Sequence, residues 1–305
     1  MPASRSPGWH HWTPRCPWGR ILPRDSQVDL QGSGLILAAA ILITFAGCAR
    51  DPKPGTPEAA ALGDQYMHSM SDTLAHAQTF TFDTDEHLQV LTPSGEKREM
   101  AITRKVTVRR PNAVAFELHG KSEGAPEVVA YYDGKTATLS NTKSGIWAQT
   151  AVPGTLDEML DYVGSQYGLP VPIGDVMYAS PYDAYLGKNS KGGFVGRETI
   201  DGVSYAVVDY ADDFVGVKLW IPSKGPALPR RLEITYKKAP MPLESKVDFT
   251  NWKLDVPVTD AMFAFQAPAG RAPIDFSDFV AALYGGTAPS PATSGGSAPG
   301  TPAAR

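Results

Sequence analysis

Beyond residue 56 the hydrophobic positions of this chain change period twice. Leu62, Tyr66, Met70 and Leu74 recur every four residues, the stripe of an amphipathic helix. Thr56-Pro57-Glu58 supplies its start, with a capping hydroxyl, a proline suited to the first helical position and an acid at the positive end. The helix is predicted to stop near Ala77. From Phe80 the period becomes two: Phe80, Phe82, Leu88 and Val90 share a face, and Glu86 falls on it too. After a turn at Pro93-Ser94-Gly95, Ile102, Val106 and Val108 continue on the next strand, opposite Thr103, Lys105 and Thr107. Pro111-Asn112 turns the chain again, and Val114, Phe116 and Leu118 alternate with Ala115, Glu117 and His119. Asp133-Gly134 marks a hairpin within "VVAYYDGKTATLS", and Ile146-Trp147-Ala148 completes the group.

The middle of the chain interrupts this rhythm. Thr155-Leu156-Asp157-Glu158 is a capping box. Leu156, Met159, Leu160, Val163 and Tyr167 then form a helical stripe that Gly168 ends. "LPVPIGDVMYASPYDAYLG" reads as a proline-broken excursion, apolar for a loop, so Ile173, Val176, Met177 and Tyr178 need something to pack on. Strands resume with a hairpin at Asp201-Gly202, then Val215, Val217, Leu219 and Ile221, then Leu232, Ile234 and Tyr236, then Val247 and Phe249. Phe263 and Phe265 are expected to close the domain. Nearly every strand places its apolar residues on one side, which predicts an α+β, mainly β fold. It is a single curved antiparallel half-barrel of about eleven strands, with an N-terminal helix and a helical insertion covering the concave face. The inward residues Phe80, Phe82, Leu88, Val106, Val108, Val114, Phe116, Leu118, Val217, Leu219, Ile234, Tyr236 and Phe249 are the candidate lining of a ligand cavity.

The ends of the chain have another character. Residues 34–47 form an uncharged apolar run of 14, short for a membrane span, which needs about 18 or more, and sized for the core of a secretory signal. A buried core helix and an uncleaved anchor are the competing readings, but Pro- and Gly-rich stretches isolate the run on both sides. "FAGC" at its end resembles the lipobox of bacterial lipoprotein signal peptides, which makes Cys48 the expected lipidation site. By the same analogy Ala49, a residue other than Asp, favours the outer membrane. Residues 1–47 are then a signal peptide with an overcalled N-terminal extension, 48–57 a lipidated tether, 58–284 the domain, and 285–305 a disordered low-complexity tail.

The net charge of −4 divides into +2 on residues 1–47 (Arg5, Arg15, Arg20 and Arg24 against Asp25 and Asp29) and −6 on the rest. A mildly acidic body argues against a nucleic-acid partner. Cys16 and Cys48 are the only cysteines, so once the signal is removed no intrachain disulfide and no Cys-based metal site can form. Catalytic motifs are missing, and an enzyme is not expected; neither is a cofactor. Asp83, Asp85 and His87 share a strand face, where a solvated outer surface competes with a metal site; the first is favoured and no metal is expected. "GGFVG" (192–196) reads as a turn and "DYADD" (209–213) as a hairpin tip. His68 and His76 stand two helical turns apart, too far to share an ion.

The order of elements resembles the LolA/LolB-like fold of periplasmic lipoprotein carriers. "VRRPN" (108–112), "YYDGKTATLSN" (131–141) and "DAMFAFQAPAG" (260–270) are similar to segments of that carrier. The chain is more similar still to a family of predicted periplasmic proteins of unknown function with the same fold, over about residues 58–272. The resemblance implies an acyl chain or a lipoprotein as ligand; taken with the lipobox and Ala49, the expectation is a lipid-anchored monomer at the periplasmic face of the outer membrane. A sensor or scaffold that binds a protein partner is the alternative. It also implies that the arginine before Pro-Asn, here Arg110, holds lid elements shut. Strand parity agrees by turning Arg110 inward, although a strand-end arginine bonding loop carbonyls would show the same parity. Arg109 should then face solvent. Two features depart from the carriers: the chain carries its own lipidation motif, and its helical insertion is rich in proline.

The lipobox makes a direct prediction. Cells fed a clickable palmitate analogue should label the wild-type protein and leave Cys48→Ser unlabelled; equal labelling of the two would remove the lipid anchor.

Overall fold

The computed structural model describes residues 50–91, 94–121, 127–152, 154–169, 171–238 and 243–283. Cys48, the apolar run before it and the tail from 285 lie outside them, as does the side chain of Val90. Eleven strands form one antiparallel sheet that stays open: β1 (Thr79–Leu91), β2 (Lys97–Arg109), β3 (Ala113–Gly120), β4 (Glu127–Tyr132), β5 (Thr136–Asn141), β6 (Ile146–Ala151), β7 (Lys191–Ile200), β8 (Val203–Ala211), β9 (Val215–Pro222), β10 (Arg231–Tyr236) and β11 (Leu243–Leu254). This is the curved half-barrel expected from the alternation. Their spatial order is β6-β5-β4-β3-β2-β1-β11-β10-β9-β8-β7, so the first and last strands are neighbours at the centre and β6 and β7 are the two edges. The segment between β6 and β7 must therefore pass from one edge to the other. It does so as α2 (Leu156–Tyr167), a 3-10 turn at Gly174–Met177 and α3 (Pro181–Tyr185).

Local chemistry explains the element ends. Thr56 caps α1 (Pro57–His76) by accepting from the Ala59 N–H, and Thr155 and Glu158 form the reciprocal box that starts α2. Gly168 ends α2 in the left-handed conformation, φ 60°. Asp201 and Gly202 both take positive φ, 51° and 78°, as a tight hairpin turn between twisted strands requires.

Buried Ala59, Gly63, Met67, Met70 and Leu74 mark the inner face of α1, so the stripe is rotated from the expected Leu62-Tyr66 line. The cause lies in β7. "GGFVG" is not a turn but part of that strand, with a bulge between Phe194 and Gly196. A Cβ on Gly63 would lie 2.5 Å from the Gly193 Cα, and one on Gly193 would lie 2.6 Å from the Ala60 Cα. Helix and strand touch backbone to backbone, and no side chain fits between them.

The domain does not close at Phe263 and Phe265. The chain continues past a 3-10 turn (Asp260–Phe263), pairs Ile274 with Ala148 on edge strand β6, and ends in a fourth helix, α4 (Phe276–Leu283). Its Phe276, Phe279 and Val280 build a second apolar cluster with Leu88, Ile102, Leu118 and Leu139, beside the main one under α1 and α2.

The Gly63 contact can be tested through its sign. Alanine is favoured over glycine in a helix interior by about 1 kcal/mol. Gly164→Ala in α2, where an added Cβ meets nothing within 4 Å, should therefore stabilise the protein. Gly63→Ala should instead destabilise it by about 1–3 kcal/mol in urea unfolding, because overpacking outweighs propensity. Two stabilised variants would mean that α1 does not sit directly on β7.

Candidate functional site: a cavity at the mouth of the concave face

Register places the inward side chains in rows across the sheet. One row runs Val217, Ile234, Ser245, Leu88, Met100, and the next inward runs Leu219, Leu232, Val247, Glu86, Ile102. A cavity of about 530 Å³ opens over the outer rows, near the β1–β2 turn. Such a volume lies in the range of about 300–1,000 Å³ usual for small-molecule sites. Leu88, Met100, Ile102, Leu118, Val215 and Leu243 give it an apolar wall; Gly168 and Pro172 of the insertion and Leu283 of α4 roof it. Phe214, 60% exposed, and Lys238 stand on the same wall, with the Lys238 ammonium 3.9 Å from the Phe214 ring.

Of the residues that the strand pattern proposed as lining, Leu88, Leu118 and Tyr236 stand on this wall. Phe80, Phe82, Val106, Val108, Val114, Phe116, Val217, Leu219, Ile234 and Phe249 do not: Val217 and Ile234 share the outer row with Leu88 but belong to the packed core, and the others lie in or against that core under α1, α2 and the 3-10 turn. Parity identifies which face a residue takes. It carries no information on how far along the strand the covering helices reach.

Two charged residues sit among these apolar rows. Glu86 is fully buried and Arg104 is 7% exposed. The Arg104 Nη1 donates to Glu86 Oε2, and the Thr84 hydroxyl donates to Glu86 Oε1. Phe116 lies against the guanidinium, its ring centre 5.7 Å from Cζ. Arg104 is also on the cavity wall, where β2 contributes Met100, Ile102 and Arg104 and the packed core begins at Val106. Among the described residues its Nε has no hydrogen-bond partner. Glu86 was visible on the apolar face in the sequence. Arg104 was not singled out, although its even spacing from Ile102 and Val106 carried the same information.

Arg110 reaches the insertion. Its Nη1 donates to the Met177 carbonyl at 2.7 Å, Nη2 to that of Val176 at 3.4 Å, and Nε to that of Leu74 at 3.3 Å. The side chain thus ties β2's end to both α1 and the insertion, and Phe80 lies beneath it, 5.5 Å from Cζ to ring centre. Burial lowers its pKa, and Asp157 opposes that shift. Arg109 does not simply face solvent. It pairs with Asp260 and covers Phe263, 4.7 Å from ring centre, so it fastens the C-terminal 3-10 turn to the sheet.

Asp175, in the 3-10 turn beside the Arg110 contacts, is a carboxyl with no ion pair among the described residues. Burial pushes its pKa up to about 7. Tyr236 on the cavity wall is pushed up to about 12 by burial and by Asp175, and the buried Tyr185 hydroxyl is raised by the same two causes and lacks a partner.

On the outer face, Asp85 pairs with Lys121 at 2.6 Å, Asp83 accepts from Asn251 and His87 is exposed. His68 stacks on Tyr182 at 3.9 Å, and His76 contacts the Asp72 carbonyl. Asp212 folds the hairpin tip by accepting from the Phe214 and Val215 N–H groups. Among the described residues no group of three or more His, Cys, Asp or Glu side chains could hold a metal ion, and no helix is long and apolar enough to cross a membrane.

Residues 63–277 match the family described as "Predicted periplasmic protein (DUF2092)". The chain belongs to that family. A comparison with curated proteins finds no match. Among solved structures, the DUF2092 protein is similar to a LolA superfamily protein from Nitrosomonas europaea, at 12% identity over 68% of this chain and 99% of that one, TM-score 0.32. It is likewise similar to lipoprotein LppX from Mycobacterium tuberculosis (13% identity, 65% and 97% covered, TM-score 0.40). LprF from Mycobacterium bovis is a third (15%, 71% and 100%, TM-score 0.40).

Asp175 generates a pH prediction. Its folded value of about 7 lies above the ordinary aspartate value of about 3.9. Between the two, the unfolded state has lost the proton and the folded state has kept it, so stability falls as pH rises from about 4 to about 7 and then levels. Asp175→Asn cannot ionise. It should raise the melting temperature at about pH 8 far more than at about pH 5; an equal shift at both would place the carboxyl in water.

Proposed function

We propose that this DUF2092 protein holds an acyl chain, free or on a lipoprotein, as a carrier or receptor on the periplasmic side of the outer membrane, anchored through lipid on Cys48. The observation that carries the reading is the apolar cavity left between the outer strand rows, the insertion and α4. Each methylene moved from water into such a site contributes about 0.8 kcal/mol, so a chain needs few polar contacts to bind. Arg110 would act as the clasp that keeps the insertion over this mouth, since the carbonyls it holds lie a few residues from Pro172. The scaffold reading draws less support. The apolar cluster on the convex face, Tyr205, Val207 and Trp220, is small and buried, and the Trp220 N–H already donates to Glu198 at 2.6 Å.

Residues 49–305 form one compact unit and suit a binding assay. Diphenylhexatriene, an uncharged hydrocarbon rod that fluoresces when desolvated, should bind them saturably. Met100→Trp, which fills the cavity, should abolish that binding with the melting temperature preserved. Arg110→Leu should fold and still bind, but exchange the probe about tenfold faster, because the lid carbonyls lose their donors. Saturable binding that is unchanged by Met100→Trp would place the probe elsewhere and remove the cavity from the function.

A further inference from the structure

A buried ion pair, Arg104 with Glu86, stands at the inner end of the cavity. Arg104 is more than nine-tenths buried, stands on the wall, and has one nitrogen, Nη1, engaged with Glu86. Its Nε is buried and has no acceptor among the described residues, and one guanidinium face is covered by Phe116. A guanidinium has five donors in a fixed fork. A buried donor without an acceptor is unfavourable, so this site is built for an oxygen that the protein does not itself supply. Ser245 adds a hydroxyl to the same wall.

Charge narrows the choice of that oxygen. Glu86 already neutralises Arg104, so the pair carries no net charge into the apolar enclosure. A carboxylate placed beside it would be a second anion on one cation, in surroundings that disfavour an uncompensated charge. Lys238, the other cation on the cavity wall, is exposed to solvent beside Phe214, and so does not compensate a carboxylate placed at the buried Arg104. An uncharged carbonyl oxygen accepts hydrogen bonds and brings no charge. We propose that Arg104, oriented by Glu86, recognises an uncharged acyl ester, whose carbonyl oxygen accepts from the free guanidinium Nε–H while its chain lies along Leu88, Met100 and Leu118. The proposal rests on the acyl-chain reading and adds to it a distinction between esterified chains and free fatty acids.

Displacement of diphenylhexatriene from residues 49–305 separates the two. The competitors are methyl laurate, dodecane, and laurate at about pH 8, where an ordinary carboxylate is fully ionised. The wild type should bind methyl laurate about tenfold more tightly than laurate or dodecane. Glu86→Gln combined with Arg104→Met removes both charges together, so neither is left alone. It should bring methyl laurate down to the level of dodecane and leave dodecane within about twofold of its wild-type affinity. Arg104→Lys keeps the ion pair but loses the fork, and should also erase the ester preference, which covers the case in which the double variant does not fold. Laurate binding as tightly as the ester, or an ester preference that survives Arg104→Lys, overturns the proposal while the acyl-chain reading stands. Failure of every competitor to displace a saturably bound probe overturns both.

Discussion

The fold depends on a connection that has no short route. Because β1 lies beside β11 at the centre of the sheet, the strands that adjoin in sequence at the middle of the chain, β6 and β7, are its opposite edges. Ten strand spacings of about 4.8 Å separate them along the sheet. The linking segment has to cross a face, and it crosses the apolar one, where Leu156, Met159, Leu160, Val163, Ile173, Val176 and Met177 are all buried. A cover made from one crossing strap, α1 on one side and α4 on the other cannot seal every row. The cavity is what these pieces leave open at the end of the sheet by the β1–β2 turn.

Attachment of the strap differs along its length. At its middle it is held by directional bonds, from Arg110 to two successive carbonyls and, within the strap, from the Ala179 N–H to the Asp157 carboxylate. Where it roofs the cavity, at Gly168 and Pro172, it offers only apolar or backbone surface. The buried polar groups follow the same division. Arg104 and Glu86 lie at the inner limit of the cavity, and Asp175 lies in the strap next to the carbonyls that Arg110 bonds. A core that only needed to be stable would do better with apolar residues of similar shape at these places.

Much of the fold was legible because it is written in periods. The alternation from Phe80 to Phe249 identified the strands and their inner faces, and capping residues at Thr56 and Thr155 with glycine at 168 and 202 fixed several boundaries. Three features were read incorrectly or missed, each for a physical reason. "GGFVG" has turn composition, yet its glycines serve a backbone contact with Gly63 that only tertiary structure reveals. In α4 the spacing of Phe276, Phe279 and Val280 after the capping Asp275 was present but brief, within a stretch that looked like the approach to a low-complexity tail. Arg109 was assigned to solvent by parity alone, whereas the segment from 260 to 263 returns to cover it. The site was less legible than the fold. Leu88, Leu118 and Tyr236 stand on the cavity wall, but parity gave no way to choose them from the other inward residues, because the depth of the helices decides which of those face a cavity.

The pairing of β1 with β11 also governs how the molecule can be made. Leu88 meets Ser245, and Phe80 meets Leu254, across most of the length of the domain. A chain emerging N-terminus first can form the β1–β2 hairpin early, but one edge of β1 must wait for the last strand. Until then an apolar strand keeps a free row of N–H and C=O groups, the arrangement that promotes mispairing between chains. Closure of so long a loop makes folding slow, and places the burden of keeping the half-made sheet soluble on whatever holds the emerging chain.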